Sequence, residues 1–261
     1  MPFSLFRSLR RRVEAKPIST DGRRIYAVGD VHGRLDLLEP LLEQIRQDAA
    51  DTAVADKPVL IFLGDYVDRG AGSKGVIDRV IALEREGVFE LCALKGNHEE
   101  ALLAFLGDAA FGPTWCEHGG SETLSSYGVS LPLLRMDAEA WGQAQAAFAE
   151  ALPGEHLSFL SDLSLTAVYG DYVFVHAGLR PGVALSAQRE LDLLWIRQDF
   201  LGARRGFEKI VVHGHTPAEE AYMGDHRIGV DTGAYATGVL TAVRLQDADR
   251  RFIQVSARDR R

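Results

Sequence analysis

Residues 60–70, LIFLGDYVDRG, begin as a strand and end in a knot of charge. Leu60, Ile61, Phe62 and Leu63 demand burial, yet Asp65, Asp68 and Arg69 follow at once, set between Gly64 and Gly70. The same transition recurs along the chain. RIYAVGDVHG (24–33), FELCALKGNHE (89–99), DYVFVHAG (171–178) and EKIVVHGHT (208–216) each pass from an apolar run to Asp, Asn or His beside glycine. Between the early runs lie segments of helical periodicity, LDLLEPLLEQIRQD (35–48), GVIDRVIALEREG (75–87) and HEEALLAFLG (98–107). Pro40 is expected to kink or divide the first, and Gly87 to close the second. Strand alternating with helix predicts βαβ units, an α/β fold and a largely parallel sheet.

In such a sheet the carboxyl ends of the strands gather at one edge, where ligands bind. Asp30 and His32, Asp65, Asn97, His176 and His215 would therefore converge from five separate runs. Aspartate, imidazole and one amide, with no thiolate, suit Mn²⁺, Fe²⁺ or Zn²⁺ rather than a structural zinc cluster. Six such ligands are too many for one tetrahedral ion. They suit two ions bridged by a shared carboxylate at ~3.5–4 Å. Taken singly, Gly-Asp after a strand is ordinarily a turn and a strand-end histidine a satisfied polar group. Five endings of this kind in one chain outweigh that reading.

The remaining sequence bounds the class. The 261 residues are 46% hydrophobic and 25% charged, which is ordinary for a globular enzyme. A net charge of −8 disfavours a general nucleic-acid binder. Two cysteines, Cys92 and Cys116, exclude a disulfide scaffold and favour the cytoplasm, and Cys92 is expected to be buried. No apolar run approaches the ~20 residues of a membrane span. Residues 1–23 read as a basic, solvated tail without the core of a signal peptide. A weaker reading gives Phe3, Leu5, Phe6 and Leu9 an amphipathic membrane contact. Residues 24–261 read as one domain, with a helical insertion at about 107–165. Late short strands, HRIGVDTG, GVLTAVRL and RFIQVSA, suggest hairpins and a mixed second sheet.

GDVHG, GDYVDRG, GNHE, HAG and GHTP together resemble the signature of the PPP-type metallophosphatases, within the calcineurin-like metallophosphoesterases. The resemblance spans about residues 24–245 and is strongest to the bacterial and phage-lambda-type serine/threonine protein phosphatases. WCEHGGSETLSSYG, LLWIRQDF and RIGVDTGAYATG are similar to segments of that subgroup. It implies two mixed β-sheets sandwiched and flanked by helices, with the site at one edge. It further implies that Asp30, His32 and Asp65 hold one metal, and that Asp65, Asn97, His176 and His215 hold the second. Mn²⁺ is the first expectation. Arg69 and Arg197 would clamp phosphate, with Asn97 also facing it, and His98, oriented by Asp68, would protonate the leaving group. The implied reaction is direct attack of a dimetal-bridging hydroxide on a phosphomonoester of protein Ser, Thr or, more widely, Tyr.

Rival readings are a symmetrical diadenosine tetraphosphate hydrolase, a nuclease, and a non-catalytic binding module of the same fold. The last is disfavoured because every ligand position is filled. His213 is read as a support for the site or as simply buried. His118, His156 and His226 are read as structural, and Tyr235 as a packing residue near the substrate mouth. The eukaryotic SAPNYC loop is absent, which leaves regulatory-subunit binding unsupported.

Overall fold

The computed structural model of the protein describes residues 18–50 and 56–260. Most of the expected basic tail, including the Phe3, Leu5, Phe6 and Leu9 face, lies outside the described residues.

The opening strand–helix alternation becomes β1 (Ile25–Val28), α1 (Leu35–Ala50), β2 (Val59–Phe62), α2 (Ser73–Glu86), β3 (Glu90–Ala93) and α3 (Asn97–Gly107). β1, β2 and β3 are parallel neighbours. α1 is one helix through Pro40, because Leu37, Leu38, Leu41, Leu42 and Ile45 bury a continuous face that outweighs the lost hydrogen bond. α2 ends where expected. Gly87 takes the left-handed conformation, φ 66°, and its N–H returns to the Leu83 carbonyl.

The insertion after α3 extends the helical layer without forming a separate unit. It contains α4 (Gly112–Trp115), a π turn at Cys116–Gly120, α5 (Ser121–Ser126), α6 (Ala138–Ala151) and α7 (Gly154–Ser161). Trp115, Trp141 and Phe148 pack on Phe105 of α3, with ring centroids 5.1, 6.3 and 6.2 Å away.

β4 (Thr166–Tyr169), β5 (Tyr172–Val175), β6 (Ile210–His213), β7 (Tyr222–Met223) and β8 (Arg227–Gly229) form the second sheet, in the order β4-β5-β6-β8-β7. β5, β6 and β8 are parallel, and β4 and β7 are antiparallel edges. Between β5 and β6 lie α8 (Glu190–Trp195) and α9 (Gln198–Leu201), and α10 (Ala234–Thr237) follows β8. The last hairpin, β9 (Val239–Gln246) and β10 (Asp249–Ser256), corrects the expectation of a place in the second sheet: it pairs with β1 and joins the first, ordered β10-β9-β1-β2-β3. Both sheets are therefore mixed.

The strands read as unbroken apolar runs because both faces are covered. Tyr26, Val28, Leu60 and Phe62 face α1, α2 and the insertion. Ile25, Ala27, Val59 and Ile61 face Tyr172, Phe174, Ile210 and Val212 across the sandwich. Val173, Val175 and Val211 face Leu193, Ile196 and Phe200 on the far side. Two sheets lie face to face between helical covers, as the sequence implied.

Residues 18–23, the described part of the expected tail, are fastened to the domain. The Ser19 N–H donates to Asp171 (2.9 Å), the Thr20 N–H to Asp247 (2.9 Å) and Arg23 to Glu90 (2.6 Å). Cys92 is half-buried rather than buried, and both cysteines are free thiols. No helix among the described residues is long and apolar enough to cross a membrane.

Candidate metal centre and phosphate site

Every ligand-type residue follows the carboxyl end of a parallel strand. Asp30 and His32 follow β1, Asp65 follows β2, Asn97 opens α3 after β3, His176 follows β5, and His215 follows β6. All six are buried. Tight turns bring them inward. Five of the seven described non-glycine residues with positive φ are His32, Asp65, Asp68, Arg69 and His215. Backbone held in that sparsely populated region marks a site where the surroundings over-determine the geometry.

The cluster forms around Asp65. His32 Nε2 lies 3.4 Å from its Oδ2, and His176 Nε2 lies 3.5 Å from its Oδ1. Asn97 Oδ1 lies 2.9 Å from His176 Nε2 and 2.8 Å from His215 Nδ1. Asp30 accepts the His215 N–H through both oxygens, at 3.2 and 3.0 Å. Two groups emerge. His32, Asp65 and His98 form one, and Asp65, His176 and His215 the other, each with candidate ligand atoms within 4.8 Å of one another. Asp65 belongs to both.

Hydrogen bonds fix which ring nitrogens are available. His32 Nδ1 donates to the Val67 carbonyl (2.8 Å), and His176 Nδ1 to the Leu63 carbonyl (2.9 Å). Their Nε2 lone pairs therefore face the Asp65 carboxylate, and that of His176 also faces the Asn97 oxygen. Acceptors converging on acceptors, with no proton between them, call for a cation. Burial lowers the His32 and His215 pKa values to about 3, so both rings are neutral, as metal ligation requires. Burial together with Asp231 raises the Asp30 pKa, the mark of crowded carboxylates. The donor set fits divalent metal.

Beside this cluster stands a buried histidine–aspartate pair. His98 Nδ1 lies 2.6 Å from Asp68 Oδ2, and His98 Nε2 lies 3.1 Å from Arg69 Nη2. Burial pulls the His98 pKa down, but Asp65 and Asp68 outweigh it and raise it above the ordinary value. Arg69 stacks on Tyr235, 4.4 Å from its ring centroid, and the exposed Arg197 donates to His215 Nε2 at 3.1 Å. The two guanidiniums thus border different ligand groups.

His213 is not part of the cluster. Its Nδ1 donates to the Gly214 carbonyl, its Nε2 meets Arg227, and its ring packs on Phe200. His156 ties Tyr127 to Asp78, while His118 and His226 are exposed.

Sequence reasoning missed Glu99. Fully buried, it accepts N–H donors from Asp65 (2.8 Å), Tyr66 (2.8 Å), Val67 (3.3 Å) and Gly96 (2.9 Å), and so holds the strained turn at Asp65. Its only written signal is its place in GNHE. Asp231, 5% exposed, crowds Asp30. Trp115 and Thr123, which reach Asp68, were also missed.

Residues 23–242 match the calcineurin-like phosphoesterases. The chain belongs to that family. Calcineurin-like phosphoesterases use a dinuclear divalent metal centre, and the two ligand groups sharing Asp65 are where this member would hold it. Among relatives, serine/threonine-protein phosphatase 1 of Salmonella typhimurium is 29% identical over 241 residues, covering 90% of this chain and 96% of its own. An asymmetrical bis(5′-nucleosyl)-tetraphosphatase of Oceanobacillus iheyensis is 27% identical, covering 90% and 93%. The crystal structure of a candidate diadenosine tetraphosphatase superposes with a TM-score of 0.61 at 20% identity, covering 92% of this chain and 97% of that one. As a calcineurin-like phosphoesterase, the protein is a phosphate-ester hydrolase.

Proposed function

We propose that the protein is a metal-dependent phosphatase acting on phosphoserine and phosphothreonine, and more widely phosphotyrosine, in proteins. One observation carries the reading. Asp65, shared by a group with His32 and His98 and a group with His176 and His215, lies at one strand edge with Asp30, Asn97, Asp68 and two arginines. Asp30, His32 and Asp65 would hold one ion, and Asp65, Asn97, His176 and His215 the other. Mn²⁺ is our first assignment, with Fe²⁺ and Zn²⁺ as alternatives. Such ions, when bound, supply Lewis acidity and make water nucleophilic at neutral pH.

The side chains do the rest. Arg69 and Arg197 bind the phosphate oxygens, Asn97 lies beside them, and these charge-assisted bonds strengthen as charge builds up on phosphorus. Arg69, 3.1 Å from His98 Nε2, would exchange that contact for a phosphate oxygen when substrate binds. His98, with Nδ1 held by Asp68, gives the proton on Nε2 to the departing oxygen. Water, rather than a side chain, is the nucleophile.

The protein-phosphatase reading draws on the Salmonella relative at 29% identity. A second reading, dinucleoside polyphosphate hydrolysis, draws on the tetraphosphatase relatives. Those relatives are asymmetrical hydrolases, whereas the alternative read from sequence is the symmetrical one. Metal-loaded protein should be given a phosphoserine peptide and diadenosine tetraphosphate in parallel. Higher kcat/KM on the peptide is expected. Preference for the dinucleotide, releasing two ADP if cleavage is symmetrical or ATP and AMP if it is not, would move the assignment to the second reading. Chelator should abolish both activities. Asp65→Asn should lose more metal by elemental analysis than Asn97→Ala, since only Asp65 serves both groups. Arg69→Ala and Arg197→Ala should lower turnover while retaining metal.

A further inference from the structure

We infer that Trp115 and Thr123 are positioning residues for the leaving-group step, fixing the Asp68 carboxylate that aims His98. The inference rests on the reading of His98 as proton donor.

Asp68 is fully buried and sits in the left-handed region, φ 72°. Its Oδ2 accepts from His98 Nδ1 at 2.6 Å and from Trp115 Nε1 at 2.9 Å, and its Oδ1 accepts from Thr123 Oγ1 at 2.6 Å. The Asp68 N–H donates back to Thr123 Oγ1 (2.9 Å) and to Ser73 Oγ (3.0 Å). Held by His98 alone, the carboxylate could swing with the ring it orients. Donors from a separate segment remove that freedom, in the way outer partners orient ligands in metal sites. The indole is itself fixed, packed against Phe105 at 5.1 Å and Phe148 at 5.9 Å between centroids.

The same segment also seats the neighbouring arginine. The Gly119 carbonyl accepts the Arg69 N–H at 3.0 Å. Gly119 lies in the π turn with φ 109°, and a Cβ there would meet Arg69 N at 2.7 Å and Cγ at 2.6 Å. Only glycine permits that approach. Residues 115–123 therefore orient Asp68 through two side chains and Arg69 through one carbonyl. What looks like an insertion is the outer wall of the catalytic pair.

Packing alone would require only the Trp115 ring and the Thr123 methyl; positioning requires their N–H and O–H. Trp115→Phe and Thr123→Val delete those donors and keep most of the volume, and Thr123→Ser restores a hydroxyl. Each full-length, metal-loaded variant should be assayed on a phosphoserine peptide, whose alkoxide needs a proton, and on p-nitrophenyl phosphate, whose phenolate does not. Trp115→Phe and Thr123→Val should lower peptide kcat about 10-fold at unchanged KM, with p-nitrophenyl phosphate turnover within about twofold. Metal content should not change, and Thr123→Ser should recover peptide turnover. His98→Asn runs alongside. If it loses both substrates equally, the proton-donor reading falls and this inference with it. If it is selective while Trp115→Phe and Thr123→Val are not, or while Thr123→Ser fails to recover, the positioning role alone is overturned. Should Trp115→Phe unfold, the Thr123 pair decides.

Discussion

His213 and His215 stand either side of one glycine and meet opposite fates. His215 turns at φ 62° into the ligand cluster, while His213 ends β6 and faces Phe200 and Arg227. Burial lowers the His213 pKa to about 3. A histidine buried neutral contributes stability that is complete above its unfolded pKa of ~6.5 and lost as pH falls toward its folded value, at about 1.4 kcal/mol per pH unit. In chelator-treated protein, unfolding free energy from urea titration should therefore drop from pH 7 to pH 5. His213→Gln should make that drop smaller by up to one proton's share. An unchanged slope would mean that His213 is accessible to protons in the fold. At this scale the six ligand-type residues were legible because each is written directly after a strand it does not leave. Glu99, Trp115 and Thr123 were not. Their partners are backbone N–H groups and a carboxylate that only the folded turn presents to them.

The long periodic elements were readable for a different reason. β1, β2, β5 and β6 are apolar on both faces, and α1 and α2 carry continuous buried stripes. β4 and β7 escaped notice because they are short edge strands, half-buried and exposed respectively, with little pattern to find. The β9–β10 hairpin was evident but was assigned to the wrong sheet, because nothing local says which sheet receives it. Helix ends carry their own signals. Gly87 adopts φ 66° at the end of α2, where a side chain is strained, and a Cβ would find only the Lys57 tip and the Arg85 carbonyl, 3.8 and 4.0 Å away. Gly87→Ala should thus cost about 1 kcal/mol of stability from backbone strain alone. Kinetic constants should stay at wild-type values, since Gly87 closes the end of α2 opposite Ser73, which touches Asp68. A neutral effect on the urea midpoint would show that the turn relaxes.

At the scale of the whole molecule, candidate ligands come from both sheets: Asp30, His32, Asp65 and Asn97 from the first, His176 and His215 from the second. The first sheet in turn depends on the far end of the chain. β1 lies between β2 and β9, with Ile25 opposite Leu245 and Val28 opposite Ala242. That pairing sets a timetable for biosynthesis. As the polypeptide emerges, β1, β2 and β3 can meet early, but the open side of β1 waits for its neighbour until more than two hundred further residues have been made. Until then the IYAV edge is an unsatisfied template of the kind that recruits other chains. A chain stopped at Gly238, although it retains every candidate ligand and both arginines, should accumulate as aggregate and show no cooperative melt by circular dichroism. A soluble product that melts cooperatively would mean that β1 tolerates a free edge. The closing hairpin holds no chemistry, yet the ribosome must finish it before any of the chemistry can begin.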